Sequence, residues 1–464
     1  MNGLTIKDPT KFNILLYSLS VSGFGIGYGV GIMNTLAEPV LRDHFNMSAE
    51  DRVGASGNLS SLYPIGAVVG LLFIGKLIST FGRRKANLIL DVAVIVSLLV
   101  VVFGSLGAMY VSRFLFGLTS SVYSVAAGIT MVECFPTEKA SIGNMGLYVS
   151  ITSFLLLVFV QQTIFSTETL VSYWKFFMMY PAIIAAGRMY FVNTYMDFES
   201  PAQIVSVHGQ DPNLKAILKE NLTKLYVDDA ALDQKIEELA AKATGGEAGA
   251  KEPTLQEFLT EETHRKAMMS SVIAAFAQNF SGINFLVFFS TQLFDSISGN
   301  GKMISVVFGL GNLCGGIVGV YVVNMFARKW LLEKGAAAQG VCMWLIIFGI
   351  VTGVYFHLSF CVFMYVFTYA LGLGATLGLY LNEVAPAVGA GFATSIAWGT
   401  ASLVGKLCPI GVYYFGSTAV LAFFAAACFG VSFAIRTYCM ESPANAPKTD
   451  ATGPEKELEE KLAH

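Results

Sequence analysis

Roughly twelve apolar runs of membrane-spanning length dominate this chain, and they constrain its fold more than any other feature. They lie near 13–36, 57–78, 87–108, 110–131, 143–165 and 173–194, and again near 266–296, 302–326, 336–357, 360–383, 391–414 and 417–436. A helix needs about 20 such residues to cross a bilayer. Backbone in hydrocarbon must satisfy its own hydrogen bonds, so the expected fold is all-α and polytopic. The composition agrees: of 464 residues, 54% are hydrophobic and only 13% charged. A net charge of −3 points away from nucleic acid. The seven cysteines fall singly and the five histidines do not cluster, so neither a disulfide framework nor a metal site is expected. Residues 1–12 are polar and lack the apolar core of a signal peptide, so the first span is expected to direct membrane insertion.

A polar insert, 198–263, separates the two sets of runs. The expected domains are therefore 1–197, the insert 198–263, 264–440 and a polar tail, 441–464. Within the insert, Leu214, Ile217, Leu218 and Leu222 recur at helical spacing, so 213–226 and 228–242 read as amphipathic helices. Gly245 to Ala250 reads as a flexible linker. Short-loop basic residues gather in even-numbered loops (Arg83, Arg84, Lys85, Lys139, Arg328, Lys329, Lys334), which places both termini and the insert on the cytosolic side. Asn46-Met47-Ser48 would then face outward as a glycosylation acceptor on a secretory route.

The two sets also repeat. Gly82-Arg83-Arg84-Lys85 recurs as Ala327-Arg328-Lys329-Trp330, Glu133-Cys134-Phe135-Pro136 as Glu383-Val384-Ala385-Pro386, and Glu199-Ser200-Pro201 as Glu441-Ser442-Pro443. The offsets are 245, 250 and 242 residues, which reads as a duplicated six-helix unit. The basic turns offer guanidinium forks, and Glu133, Glu199, Glu383 and Glu441 are the carboxylates expected to receive them. Arg113, opening the fourth span, is a further candidate. Such pairs are expected to lock the halves when the cavity opens outward and to break when it opens inward; the alternative is simple positive-inside anchoring. Gly23, Gly27 and Gly31 make a small-residue face in the first span; it reads as close helix packing, with a substrate-lining helix that must rock as the alternative. Asp91, Arg188 and Lys406 are ionisable residues within spans. The first two are expected to pair structurally. Lys406 either holds an anionic solute or finds local partners.

Gln278-Asn279-Phe280-Ser281-Gly282-Ile283-Asn284 interrupts an apolar run with amides around a helix-weakening Ser-Gly pair. A broken helix at mid-membrane carrying uncharged hydrogen-bonding groups suits a polar solute; amides that glue helices together are the alternative.

These stretches together resemble the sugar porter family of the major facilitator superfamily, which includes the facilitative glucose transporters. The resemblance covers about 13–443 and rests on Gly82-Arg83-Arg84, Glu133-x-x-Pro136, Glu199-Ser200-Pro201, the 278–284 pattern and Phe288-Phe289-Ser290-Thr291. It implies a major-facilitator fold, twelve transmembrane helices in two six-helix halves with a cytosolic helical insert. By position it implies sugar contacts at Gln278, Asn279 (where the family prefers Gln), Asn284 and Asn312, the last standing twelve residues before Asn324. It implies a cytosolic gating network of Arg83, Arg84, Arg113, Glu133, Glu199, Arg328, Lys329 and Glu383.

The chain also departs from the family. Counted from Glu133, the fifth-helix Gln position falls on Tyr148; counted from Glu383, the tenth-helix Glu and Trp positions fall on Ala370 and Gly378, with Ala375 and Leu377 for the Pro pair between them. The eleventh-helix Asn and Trp positions fall on Ala401, Ser402 and Gly405, and the proton-carrying Asp of coupled members falls on Gly29. The expectation is a uniporter of a hexose or similar small polar solute, working by alternating access. It makes or breaks no covalent bond, needs no cofactor, and partners a small solute and the bilayer. The rivals are a transport-inactive subunit with fixed membrane-complex partners, and a carrier of a different, anionic solute using Lys406. The plasma membrane is the first expectation for its location, and an organelle membrane, including the mitochondrial inner membrane, the alternative.

Overall fold

The computed structural model describes residues 1–244, 254–353 and 357–442. The expected linker at 245–250 and the tail from Pro443 lie outside them. Among the described residues, ten helical segments are long and apolar enough to cross a bilayer. One of them, Ala49–Phe103, is two spans joined at Gly82, whose φ of 73° and ψ of 174° break the helix. Thr167–Ser172, Trp174–Met179 and Pro181–Tyr195 follow end to end as a sixth span in short pieces. Among the described residues the total is twelve, six on each side of the insert.

Local chemistry sets the boundaries. Ser48 caps the second span by accepting from the amide of Asp51. The apolar run near 87–108 is interrupted earlier than its hydropathy suggests. Gly104 turns the chain at φ 69°, and the Ser105 hydroxyl accepts from the Ala108 amide to start the fourth span, Leu106–Cys134. Phe135 and Ala385, each preceding a proline, are extended, and a new helix begins after each proline. The same Glu-x-x-Pro punctuation thus separates the fourth span from the fifth (Thr137–Ile164) and the tenth (Leu358–Val384) from the eleventh (Ala387–Phe415).

The glycine face of the first span (Pro9–His44) packs on the fifth. A Cβ at Gly27 would lie 1.9 Å from the Ile151 carbonyl oxygen, so only glycine permits this approach. Asp91 and Arg188 pair at 2.8 Å with both side chains buried, and the Tyr123 hydroxyl donates to the same carboxylate at 2.7 Å. Pairing of this kind is how charge is tolerated at membrane depth. Leu72, Phe73, Phe348, Phe360 and Phe415 are exposed, as expected of helices whose solvent is lipid.

The insert is packed beneath the N-terminal half. Its helices Leu214–Leu222 and Ala230–Thr244 bury Leu214, Leu218, Leu222 and Ile236 in one cluster with Phe12 and Val192. The Tyr226 hydroxyl donates to the Cys134 carbonyl at 2.7 Å. The N-terminal segment joins by backbone bonds, Lys7 to Leu225 at 3.0 Å and Val227 to Thr5 at 2.9 Å. A further short helix, Leu255–Thr260, sets Phe258 against Gly389 of the eleventh span. The insert therefore touches both halves.

Candidate solute cavity

The seventh span is two helices, Arg265–Phe280 and Ile283–Ser298. Between them Ser281 donates its hydroxyl to the Gln278 carbonyl at 2.6 Å, and Gly282 takes the left-handed conformation, φ 84°. In an unbroken helix, residues six apart are turned by about 600°, which leaves them about 120° apart around the axis. The break brings Gln278 and Asn284 onto one central cavity of about 290 Å³. Asn312, from the eighth span (Gly301–Met325), completes an amide wall. Its Oδ1 is buried and has no hydrogen-bond partner in the protein. Gln278 donates to the Tyr369 hydroxyl at 3.2 Å, linking this wall to the tenth span.

Asn279 stands elsewhere. One residue on from Gln278 it points about 100° away, and its amide donates to the Ala397 carbonyl at 2.7 Å and accepts from Asn284. It braces the break without lining the cavity. Lys406 does not line it either. Its ammonium donates to Asn58 Oδ1 of the second span, tying the two halves.

The departures from the family pattern take distinct places. Tyr148 lines the cavity and reaches across from the N-terminal half, its hydroxyl 2.4 Å from where a Cβ on Gly374 would sit. Gly378 and Ala401 line the cavity as well, and a Cβ at Gly378 would meet open space. Ala370 packs against Gly315, and Gly405 against the backbone of Ser60. Sequence counting misses two lining aromatics. Trp398 stands one turn before the counted positions, and Tyr369 one residue before Ala370. Trp398 also meets Tyr63 edge-to-face at 6.1 Å. A lone tryptophan in an apolar eleventh span is the signal that could have found it.

Two faces of the molecule behave differently. On the face opposite the insert, side chains join the halves. Asn34 donates to the Val287 carbonyl and the Ser290 hydroxyl, each at 2.7 Å, and accepts from the Thr291 amide at 3.0 Å. Thr291 donates to Gln162 Oε1 at 3.0 Å. On the insert face the basic turns pair within their own repeat, with the segment that follows its last span included. Arg83 meets Glu133 at 2.6 Å, and the amides of Arg83 and Arg84 donate to Glu199 at 2.6 and 3.2 Å. The second copy repeats this with Arg328 and Glu383 at 3.4 Å and Lys329 and Glu441 at 3.8 Å. These pairs are present in the same structure in which Asn34, Thr291 and Gln162 join the halves on the opposite face.

Arg113 is outside this network. The fourth span begins on the face opposite the insert, where Arg113 donates to the carbonyls of Gly29 (2.5 Å) and Leu59 (3.1 Å) and lies over the Tyr63 ring. A Cβ on Gly29 would sit 2.4 Å from that ring, so the place of the family's proton-carrying Asp is filled by Tyr63.

Comparison with known proteins agrees with this architecture. Residues 15–441 match the profile of the family described as "Sugar (and other) transporter". The probable plastidic glucose transporter 1 of Arabidopsis thaliana is 26% identical, over 87% of this chain and 78% of that protein. Facilitated glucose transporter member 3 of solute carrier family 2 from Canis lupus familiaris is 22% identical, over 88% and 86%. The inward-open xylose transporter XylE from E. coli superposes with a TM-score of 0.76 at 16% identity, covering 94% of this chain and 98% of the other, which establishes the fold. With a family match over nearly its whole length, this multi-pass membrane protein belongs to the sugar (and other) transporter family, and it has the fold of the xylose transporter.

Proposed function

We propose that the protein is a facilitative uniporter of a hexose or a similar small polyhydroxylated solute. The observation that carries this reading is the amide wall, above all Asn312 Oδ1, a buried acceptor beside the cavity with no protein donor. Sugar hydroxyls donate and accept, as do amide side chains, so Gln278, Asn284 and Asn312 suit such a solute. The two relatives described above are named as glucose transporters, one of them as a probable one, which favours a hexose.

The mechanism follows from the two faces. Asn34, Thr291 and Gln162 join the halves on the opposite face, and Leu377, Leu381 and Thr394 are among the residues that line the cavity. Opening to the other side requires the Asn34 and Lys406 bonds to part while each half stays rigid, braced by its own basic turn. Gly29 offers no carboxylate and Asp91 is consumed by Arg188, which supports uniport. Concentrative uptake driven by a pH step across liposomes, abolished by a protonophore, would falsify it.

Lys406 bonds Asn58 outside the cavity, which removes the motive for an anionic solute. The transport-inactive subunit keeps one supporting observation: the tenth and eleventh spans offer the solute mostly Gly374, Leu377, Gly378 and Ala401. Uptake by purified protein in liposomes, across hexoses, pentoses, polyols and small acids, separates the two. We place the protein in the plasma membrane. Asn46 is exposed on the face opposite the insert, so a mass shift on glycosidase treatment of the native protein supports a secretory route. Unglycosylated protein fractionating with mitochondria contradicts it.

A further inference from the structure

A second hollow, of about 500 Å³, lies on the flank of the C-terminal half among the seventh, eleventh and twelfth spans, separate from the solute cavity. We propose that it holds one acyl chain of a phospholipid in the leaflet opposite the insert, packed against the hinge of the seventh span.

Its depth selects that ligand. The groove follows the eleventh span from Thr400, the middle of Ala387–Phe415, to Phe415 at its end. Fifteen residues of helix rise about 22 Å, and half a bilayer with its headgroup zone is about 20–22 Å. The exposed Tyr413 and Tyr414 mark the outer end, where aromatic rings favour the headgroup level.

The chemistry agrees. Leu403, Leu407, Gly411 and Phe423 line the walls, and no charged side chain contributes. Leu403, Leu407 and Phe423 are 57–58% exposed, so the groove opens sideways to lipid. Its two polar residues sit at the inner end and are already satisfied. Asn279 is bonded to Ala397 and Asn284, and Thr400 to the Ile396 carbonyl. A ligand's inner end needs no hydrogen-bonding group there, as for the methyl end of a chain. Gly411 keeps the groove open. A Cβ there would lie 3.3 Å from Val420, and a larger side chain would occupy the space itself.

The floor of the groove is the hinge. Phe280 and Phe424 line it, and a Cβ on Gly282 would meet Phe424 at 3.0 Å. Asn279 forms part of the floor while its partner Asn284 faces the solute cavity. The chain would thus buttress the segment that aims the amides.

The test is photolabelling of the full chain in liposomes of phosphatidylcholine with a diazirine in the acyl chain, mapped by mass spectrometry. Val341, Leu345 and Phe348 of the ninth span, 50–64% exposed, provide the reference surface. Adducts at Leu403, Leu407 and Phe423 should exceed that reference at least fivefold. Gly411→Phe, and independently Val404→Phe, should return the excess to the reference level. Equal labelling on both surfaces of the wild type, or an excess that survives both variants, overturns the proposal. So does replacement of lipid adducts at these residues by crosslinks to a second protein chain. None of these readouts requires transport, so the proposal can fail while the transport reading stands.

Discussion

Within the cavity lining of the C-terminal half, the seventh and eighth spans present Gln278, Asn284 and Asn312, whereas the tenth and eleventh present Gly374, Leu377, Gly378 and Ala401, relieved by Tyr369, Thr394 and Trp398. The first wall supplies directional hydrogen bonds and is held by the Gly282 break. The second supplies shape and aromatic surface. Specificity for hydroxyl arrangement should therefore reside in the first wall. Affinity should be limited by the second, because an apolar surface leaves part of a polar solute's hydrogen bonding unsatisfied.

The largest effect is expected from Gly282→Ala. An L-residue in the left-handed conformation costs about 1–2 kcal/mol, and Met343 and Phe424 already stand 3.0 Å from the new Cβ. If the helix straightens, Gln278 and Asn284 diverge, and hydrogen bonds of about 1–1.5 kcal/mol each are lost together. Solute affinity, measured by equilibrium binding with a thermal-unfolding control, should fall about a hundredfold. Gln278→Ala comes next, with a loss of about 1–3 kcal/mol, roughly ten- to hundredfold. Asn312→Ala should act similarly.

The second wall can be rebuilt rather than broken. Gly378 has open space around it, so Gly378→Trp places an aromatic face in the cavity. Stacking worth about 0.5–1.5 kcal/mol should tighten binding of a sugar about two- to tenfold. No gain would mean that the second wall lies outside the solute's reach. The smallest effect on binding should come from Lys406→Met, within about twofold, since its ammonium bonds Asn58 and not the solute. Its signature is conformational: labelling of an engineered cysteine on the face opposite the insert should rise, because one bond closing that face is gone.

Much of this architecture is legible in the sequence for simple reasons. Apolar length fixes the spans, and the repeated basic turns, Glu-x-x-Pro steps and Glu-Ser-Pro triplets expose the duplication by their spacing alone. The carboxylate of each Glu-x-x-Pro step then pairs with the basic turn of its own copy, Glu133 with Arg83 and Glu383 with Arg328. What the sequence hides is angular and axial position. Asn279 carries the same amide chemistry as its neighbours, yet about 100° of rotation per residue turns it away from the cavity. Arg113 resembles the other arginines, but its span starts on the opposite face, where backbone carbonyls are its partners. Trp398 escapes because counting forward from Glu383 fixes distance along the chain only to about a turn. Tyr148 is visible as a departure, but its fit over Gly374 depends on packing that only the folded chain displays.

Transport requires the amide wall to be a working site for a neutral polar solute. The most direct test is counterflow uptake by purified protein in liposomes, wild type beside Asn312→Ala, across hexoses, pentoses, polyols and small acids. The expected result is saturable exchange of at least one neutral polyhydroxylated solute, insensitive to a protonophore and weakened roughly ten- to hundredfold in affinity by the substitution. Absence of binding and exchange across the whole panel, with the protein folded and copurifying with a fixed set of membrane partners, would contradict it. Gln278, Asn284 and Asn312 would then be amides that pack helices in a structural subunit.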